Sequence, residues 1–324
     1  MPQSSYPYAN GRLSVIAQKM LSSGFLGRLA ESGEADAIKL LRDAGYGSGA
    51  KNPNDVEQLI AAELSNTREL IWELTPEPEI IKLFLLRTDA HNLKTLLKAK
   101  LFDIPADDMM AEGGAFSVAL LEKAVNEGEV SALPKTFAKA IEEAESVAAK
   151  SGDPGLVSAT VDRAVYAYIF LSLKKKRNAF AKRYFSTQAD FTNVQSLIRA
   201  RALRWEAEKL SPMLVSGGEI SHERITECLE VPAAQLGSEL NVGQSGPAIE
   251  KALKEYSLTG NPGGLERSMD RALMEMVREG KNDMFGMGPL VGYLLGREAE
   301  ARAIRVIFAS KLAKSPVELP ELYA

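Results

Sequence analysis

A helical motif that returns three times at domain-sized intervals constrains this chain more than any single residue does. Its copies run Asp89-Ala-His-Asn-Leu-Lys-Thr-Leu-Leu-Lys-Ala-Lys100, Asp190-Phe-Thr-Asn-Val-Gln-Ser-Leu-Ile-Arg-Ala-Arg201 and Glu300-Ala-Arg-Ala-Ile-Arg-Val-Ile-Phe-Ala-Ser-Lys311. Each begins with an acid and ends eleven residues later with a base. Apolar residues fill matching offsets between them: Leu93, Leu96 and Leu97; Val194, Leu197 and Ile198; Ile304, Ile307 and Phe308. The opening acids recur roughly every hundred residues, so the repeating unit is a domain and not a solenoid turn. The pattern predicts an all-α chain of three similar helical domains, 1–108, 109–215 and 216–324.

The motif also sets a puzzle. At 100° per residue, Leu86, Asp89, Leu93, Leu96, Leu97 and Lys100 share one arc about 100° wide, so acid and base both lie on the apolar face. They stand about 16 Å apart along the helix, too far to pair with each other. Two readings remain open. Lys100, Arg201 and Lys311 end an amphipathic stripe and snorkel to water, or each acid meets a base from a neighbouring helix and locks the domains in register. The opposite face of the first copy carries Arg87, His91, Lys94 and Lys98, and the third carries Arg302 and Arg305. That stripe is either a solvated face or a docking surface for an acidic partner.

Helical periodicity dominates elsewhere, over Gly11–Leu29 and Asp55–Leu74, with Pro76 and Pro78 between the latter and the next helix. Asp153-Pro-Gly155 precedes Asp162-Arg-Ala164 by nine residues, and Asn261-Pro-Gly263 precedes Asp270-Arg-Ala272 by the same interval, so one capped turn serves two repeats. Strand signals are thin. A net charge of −4 provides no global field for nucleic acid. The single cysteine, Cys228, excludes an internal disulfide and reads as a small apolar residue. No run of about 18 apolar residues predicts a membrane span, and Met1–Tyr8 lacks the segments of a secretion signal. The expectation is a cytosolic chain.

Chemistry-bearing motifs fail on spacing. Gly45-Tyr-Gly-Ser-Gly-Ala-Lys51 lacks the Gly-Lys-Ser/Thr ending that rings a phosphate, and reads as a flexible turn. Gly286-Met-Gly288 with Gly292 misses the dinucleotide spacing. Asp107-Asp108 has Ala111 where a metal-binding loop needs a ligand, and His91 and His222 stand alone, so no zinc site is expected. No catalytic residue, cofactor or direct nucleotide contact is assigned. Lys174-Lys-Lys-Arg177 with Lys182 and Arg183 is the densest charge cluster. It reads as a solvated helix face, a patch near anionic lipid or an acidic partner, or, with Tyr166, Tyr168, Phe180, Tyr184 and Phe185 interleaved, an RNA surface.

Several stretches in order resemble the C subunit of the archaeal and bacterial V/A-type ATPases, which is called d in eukaryotic vacuolar ATPases. They are Tyr8-Ala-Asn-Gly-Arg12, Tyr46-Gly47, Leu85-Leu-Arg-Thr-Asp-Ala-His-Asn-Leu-Lys94, Asp190 to Arg201, and Gly288-Pro-Leu-Val-Gly-Tyr-Leu-Leu-Gly-Arg-Glu-Ala-Glu300 through Ile304-Arg305. Ala303 departs from Asn92 and Asn193, and Ala106 to Gly152 matches least. The resemblance implies a funnel of three helical domains about a pseudo-threefold axis. It implies a non-catalytic rotor piece at the cytoplasmic face of the membrane, seated on the proteolipid ring and holding the central stalk while H⁺ or Na⁺ flow is coupled to ATP turnover. It marks Arg87, Asp89, Asn92, Asp190, Asn193, Arg297 and Glu300 as framework or interface positions. A helical scaffold outside any rotary motor is the competing class.

Overall fold

The structure is a computed structural model that describes residues 5–106 and 109–315. Among those residues every regular element is helical. In chain order the α-helices are α1 (Tyr6–Ile16), α2 (Ser23–Glu31), α3 (Glu34–Asp43), α4 (Val56–Leu74), α5 (Pro78–Phe102), α6 (Val118–Asn126), α7 (Lys135–Ser151) and α8 (Pro154–Lys176). They continue with α9 (Ala179–Ala202), α10 (Ala207–Leu210), α11 (His222–Glu227), α12 (Leu236–Glu239), α13 (Gly246–Thr259), α14 (Pro262–Glu279) and α15 (Gly288–Ala313). The three motif copies lie on α5, α9 and α15, the longest helices described. Asp107-Asp108 falls outside the described residues.

The chain divides into two compact units: Met1–Pro78 together with Met274–Ala324, and Glu79–Leu273. In the first unit, Leu26, Leu29, Leu41, Leu59 and Ile60 gather on Ile304, Ile307 and Phe308 of α15. α4 begins where periodicity placed it, because the Asp55 carboxylate accepts from the Glu57 and Gln58 amides. The helix expected over Gly11–Leu29 is broken instead. α1 stops at Ile16, a 3₁₀ turn covers Ala17–Lys19, and Ser22 caps α2 by accepting from the Phe25 amide. The Leu21 amide is drawn off to a side chain of α15, so the two stretches never join their backbone ladders. The Gly45 turn packs against α4 at Gly47. A Cβ at Gly47 would lie 2.5 Å from the Leu59 carbonyl, and the Gly47 amide donates to Glu63 at 2.9 Å.

The second unit contains α5 and α9. The α9 stripe packs with Ile225, Cys228, Leu236, Leu253 and Leu265 in one core. α8 lies on α7 and begins at the expected turn, where Asp153 accepts from the Gly155 amide; Asn261 does the same for Gly263 at α14. By length and composition α8 is apolar enough to cross a membrane, which the sequence reading did not expect. Here its Val157, Val161, Val165 and Ile169 are buried in the fold. Asp162 and Arg163 in its middle are ion-paired with Lys94 and Glu143. The apolar content therefore serves core packing.

Candidate functional site

The acid and the base of each motif clamp the two ends of one short helix. Asp89, with no exposed surface, accepts from the amides of Ala115 (2.7 Å) and Phe116 (3.1 Å), directly before Ser117, the N-cap of α6. Eleven residues along, Lys100 donates to the Val125 carbonyl in the last turn of α6 (2.7 Å) and to Glu145. In the second copy Asp190 accepts from Glu219 (3.2 Å), Ile220 (3.0 Å) and the Ser245 hydroxyl (2.7 Å), directly before Ser221, the N-cap of α11. Arg201 then donates to the carbonyls of Cys228 (2.6 Å) and Leu229 (2.7 Å), just past the end of α11. The third copy finds its short helix at the other end of the chain. Glu300 accepts from Leu21 (2.7 Å), directly before Ser22, and Lys311 donates to Ala30 (2.7 Å) and Ser32 at the end of α2.

The eleven-residue spacing now has a cause. α2 and α6 have nine residues each and are about 14 Å long, so a clamp of about 16 Å meets both ends; α11 has six, and Arg201 meets the two carbonyls that follow it. The carboxylate sits at the positive end of the short helix and the cation at its negative end, each favourable by about 0.3–1 kcal/mol or more when partly buried. Both readings of the motif are thereby corrected. Asp89 and Asp190 meet backbone amides and not bases. Lys100, Arg201 and Lys311 bind orphan carbonyls at the end of the short helix, Lys100 from an exposed position and the other two half-buried.

A second pair of bonds repeats in two copies. Asn92 exchanges both hydrogen bonds with the backbone of Ala111 (2.8 and 2.9 Å), and Asn193 does so with Val215 (2.9 and 2.8 Å). Ala303 stands buried at the third position and makes neither bond. An ionic triad distinguishes that copy: Arg297 donates to Glu300 (2.7 Å) and faces Glu63 (3.4 Å), with its guanidinium over Tyr293.

Residues 9–321 match the family described as the ATP synthase (C/AC39) subunit. The chain belongs to that family. It is 26% identical, over 97% of its length, to the C subunit of the A-type ATP synthase of Thermococcus onnurineus, covering 87% of that protein. It is 23% identical, over 98% of its length, to the A-type C subunit of Methanocaldococcus jannaschii, covering 86%. The C subunit of the V-type ATP synthase of Thermus thermophilus is 23% identical, with 93% of each chain covered.

The positions named from sequence, by motif or by resemblance, separate into two groups. Asp89, Asn92, Asp190, Asn193, Arg201, Arg297, Glu300 and Lys311 converge on the clamps just described. Arg87 is exposed and Lys98 half-buried, and neither joins them. Arg305 forms a surface fork with Glu57, at 3.0 Å. Lys94 pairs with Asp162 (2.5 Å) and His91 meets the Met109 carbonyl (2.8 Å), so two members of the expected basic stripe hold the second unit together. The aromatics near the basic cluster are packed away: Tyr184 and Phe185 stack on Phe84, and Tyr168 on Phe137.

Sequence reasoning missed the glycines that admit the carboxylates. A Cβ on Gly114 would lie 2.2 Å from Asp89 Oδ1, and one on Gly218 would lie 2.1 Å from Asp190 Oδ1. The doublets Gly113-Gly114 and Gly217-Gly218 were the available signal. It also missed Asn10, whose amide donates to the carbonyls of Asp283, Met284 and Gly286 within the first unit. Among the described residues no His, Cys, Asp or Glu group has metal-site geometry.

The clamps predict a pH dependence. Burial pushes Asp89 up to about 6 against its two amides, and Glu300 up to about 7 against Arg297. Burial raises Asp190 as well, opposed by Ser245 and the Ile220 and Glu219 amides. A carboxyl raised on folding holds its proton more tightly in the native state. Its contribution is complete below the unfolded value of about 4 and is lost as pH rises through the folded one. The melting temperature is therefore expected to fall as pH goes from about 5 to about 8, with a flatter profile in Asp89→Asn. Calorimetry across that window checks this; a steadily rising melting temperature refutes it.

Proposed function

We propose that this chain is the non-catalytic coupling piece of the central rotor in an A/V-type ATPase, at the cytoplasmic face of the membrane. It joins the stalk subunits to the proteolipid ring and transmits torque between ATP turnover and H⁺ or Na⁺ transport. The names of its relatives support membership of such a complex. The observation that carries the mechanical reading is the clamp made three times over. Each long helix is tied at both ends to a second helix through charge-assisted bonds, most of them part-buried, which resist sliding along the helix axis better than apolar packing alone. A part that passes torque needs that stiffness; it needs no nucleophile, metal or nucleotide loop.

On the same reading the chain holds three repeats, arranged as a funnel. The clamps favour a division ahead of each long helix, because Asp89 binds residues beyond 108 and Asp190 binds residues beyond 215. The third repeat is then composite, with α15 completed by α2, α3 and α4.

Complexes assembled without this chain are expected to keep ATP hydrolysis in the detached head and to lose ATP-driven ion uptake. Reconstituted vesicles, with and without the subunit, provide the measurement. Undiminished uptake in its absence would remove the coupling role.

A further inference from the structure

The turn between α8 and α9 carries an uncompensated positive charge that the fold does not require. Lys174, Lys175, Lys176, Arg177 and Lys182 are all exposed, and none of the five forms an ion pair among the described residues. No acid occurs between Asp162 and Asp190. The corresponding turn of the repeat that precedes α5 is acidic, with Glu73, Glu77 and Glu79, and each of these is partnered: by Arg12, the Tyr6 hydroxyl and Lys82. The one that precedes α15 reads Gly280-Lys-Asn-Asp-Met-Phe-Gly-Met287, with mixed charge. The same place in the repeat thus tolerates any charge, so a helix C-terminus demanding cations does not explain five of them.

Two local details point the same way. Arg177 holds a left-handed backbone (φ 53°) at the C-cap of α8, where α7 and α13 use Gly152 and Gly260 at φ 61° and 62°. A large cationic side chain is kept where glycine is the easier choice. Leu171 is 54% exposed, and it shares a helix face with Lys174 and Lys175 at three and four residues' distance.

We propose that this turn is a docking surface for the anionic headgroups of a phospholipid bilayer, with the five cations over the headgroup plane and Leu171 at its level. Four of the five are lysines, long point charges without the bidentate geometry that guanidinium offers a fixed carboxylate. Of the nearby rings Tyr166, Tyr184 and Phe185 are buried and Tyr168 and Phe180 half-buried, so none stands fully exposed as a platform for a stacked base. A fluid, planar array of phosphates is matched, and clusters of four to eight Lys or Arg are what such surfaces attract. This goes beyond the rotor reading, which concerns protein partners.

The test is flotation of the full chain with vesicles of phosphatidylcholine, with and without phosphatidylglycerol, at low and physiological salt. Binding is expected only with phosphatidylglycerol and is expected to weaken with salt. Lys174→Gln, Lys175→Gln and Lys176→Gln together should reduce partitioning about fivefold per lysine, on the order of a hundredfold in all. The control triple Lys39→Gln, Lys51→Gln and Lys150→Gln, at exposed lysines elsewhere, should leave it unchanged. Equal binding to both vesicle types, or full binding by the first triple variant, overturns the proposal. So does binding to single-stranded RNA or polyglutamate at physiological salt without vesicle binding, which assigns the patch to another polyanion. Capture of the stalk subunits by the same variant is read separately, so loss of lipid binding with stalk capture intact leaves the rotor reading standing.

Discussion

Asp190→Ala is expected to cost about 3–5 kcal/mol of folding stability, because it strips the acceptor from the buried Ile220 amide, the part-buried Glu219 amide and the buried Ser245 hydroxyl at once. Buried donors without partners cost about 1–3 kcal/mol each, more than the bonds contribute when intact. Gly218→Ala attacks the same clamp from the other side, since its methyl would overlap Asp190 Oδ1; overpacking of this kind costs about 1–3 kcal/mol. The two changes should not add. With the carboxylate gone, the methyl finds room, so most of the Gly218→Ala cost should vanish in the Asp190→Ala background. Urea melts of the two single variants and the double variant give the coupling. Additive costs would mean that Gly218 serves something other than the carboxylate.

Arg297→Ala should be as severe and sharply dependent on pH. Arg297 is the cation that meets two buried carboxylates, Glu63 and Glu300. Breaking a buried ion network by removing one partner costs about 3–5 kcal/mol. Burial has already raised Glu300 to about 7, with Arg297 holding it down. Without the guanidinium the carboxyl is expected to take up a proton, which relieves the uncompensated charge in acid and not in base. The stability lost to Arg297→Ala should therefore be largest near pH 8 and much smaller near pH 5. Denaturation midpoints of both proteins at the two pH values decide it. A loss independent of pH would assign the residue's role to packing against Tyr293.

The three motif helices, the all-helical class and the burial of the acids were legible because they rest on local periodicity. An acid at a fixed offset from leucines on a 3.6-residue helix must lie on the face that the leucines bury. The capped turns at Asp153 and Asn261 were legible for the same reason: a side chain bonding an amide two residues on needs nothing from the rest of the chain. The break after Ile16 was not, because apolar spacing runs on through the 3₁₀ turn, and the bond from Leu21 to Glu300, beside the Ser22 cap, is made across 279 residues. Lys94 misled for a similar reason. Its helix face is polar in sequence, but α8 brings Asp162 against it.

By itself, then, the sequence determined that three helices each carry an acid and a base on their buried face, about 16 Å apart. It could not determine what those groups meet. The partners are backbone amides and carbonyls, which every residue possesses and no residue type announces. In two copies they lie 25 to 30 residues downstream. In the third they lie 279 to 281 residues upstream. Only tertiary packing, which lays a short serine-capped helix along each long one, converts two unexplained charges into a clamp.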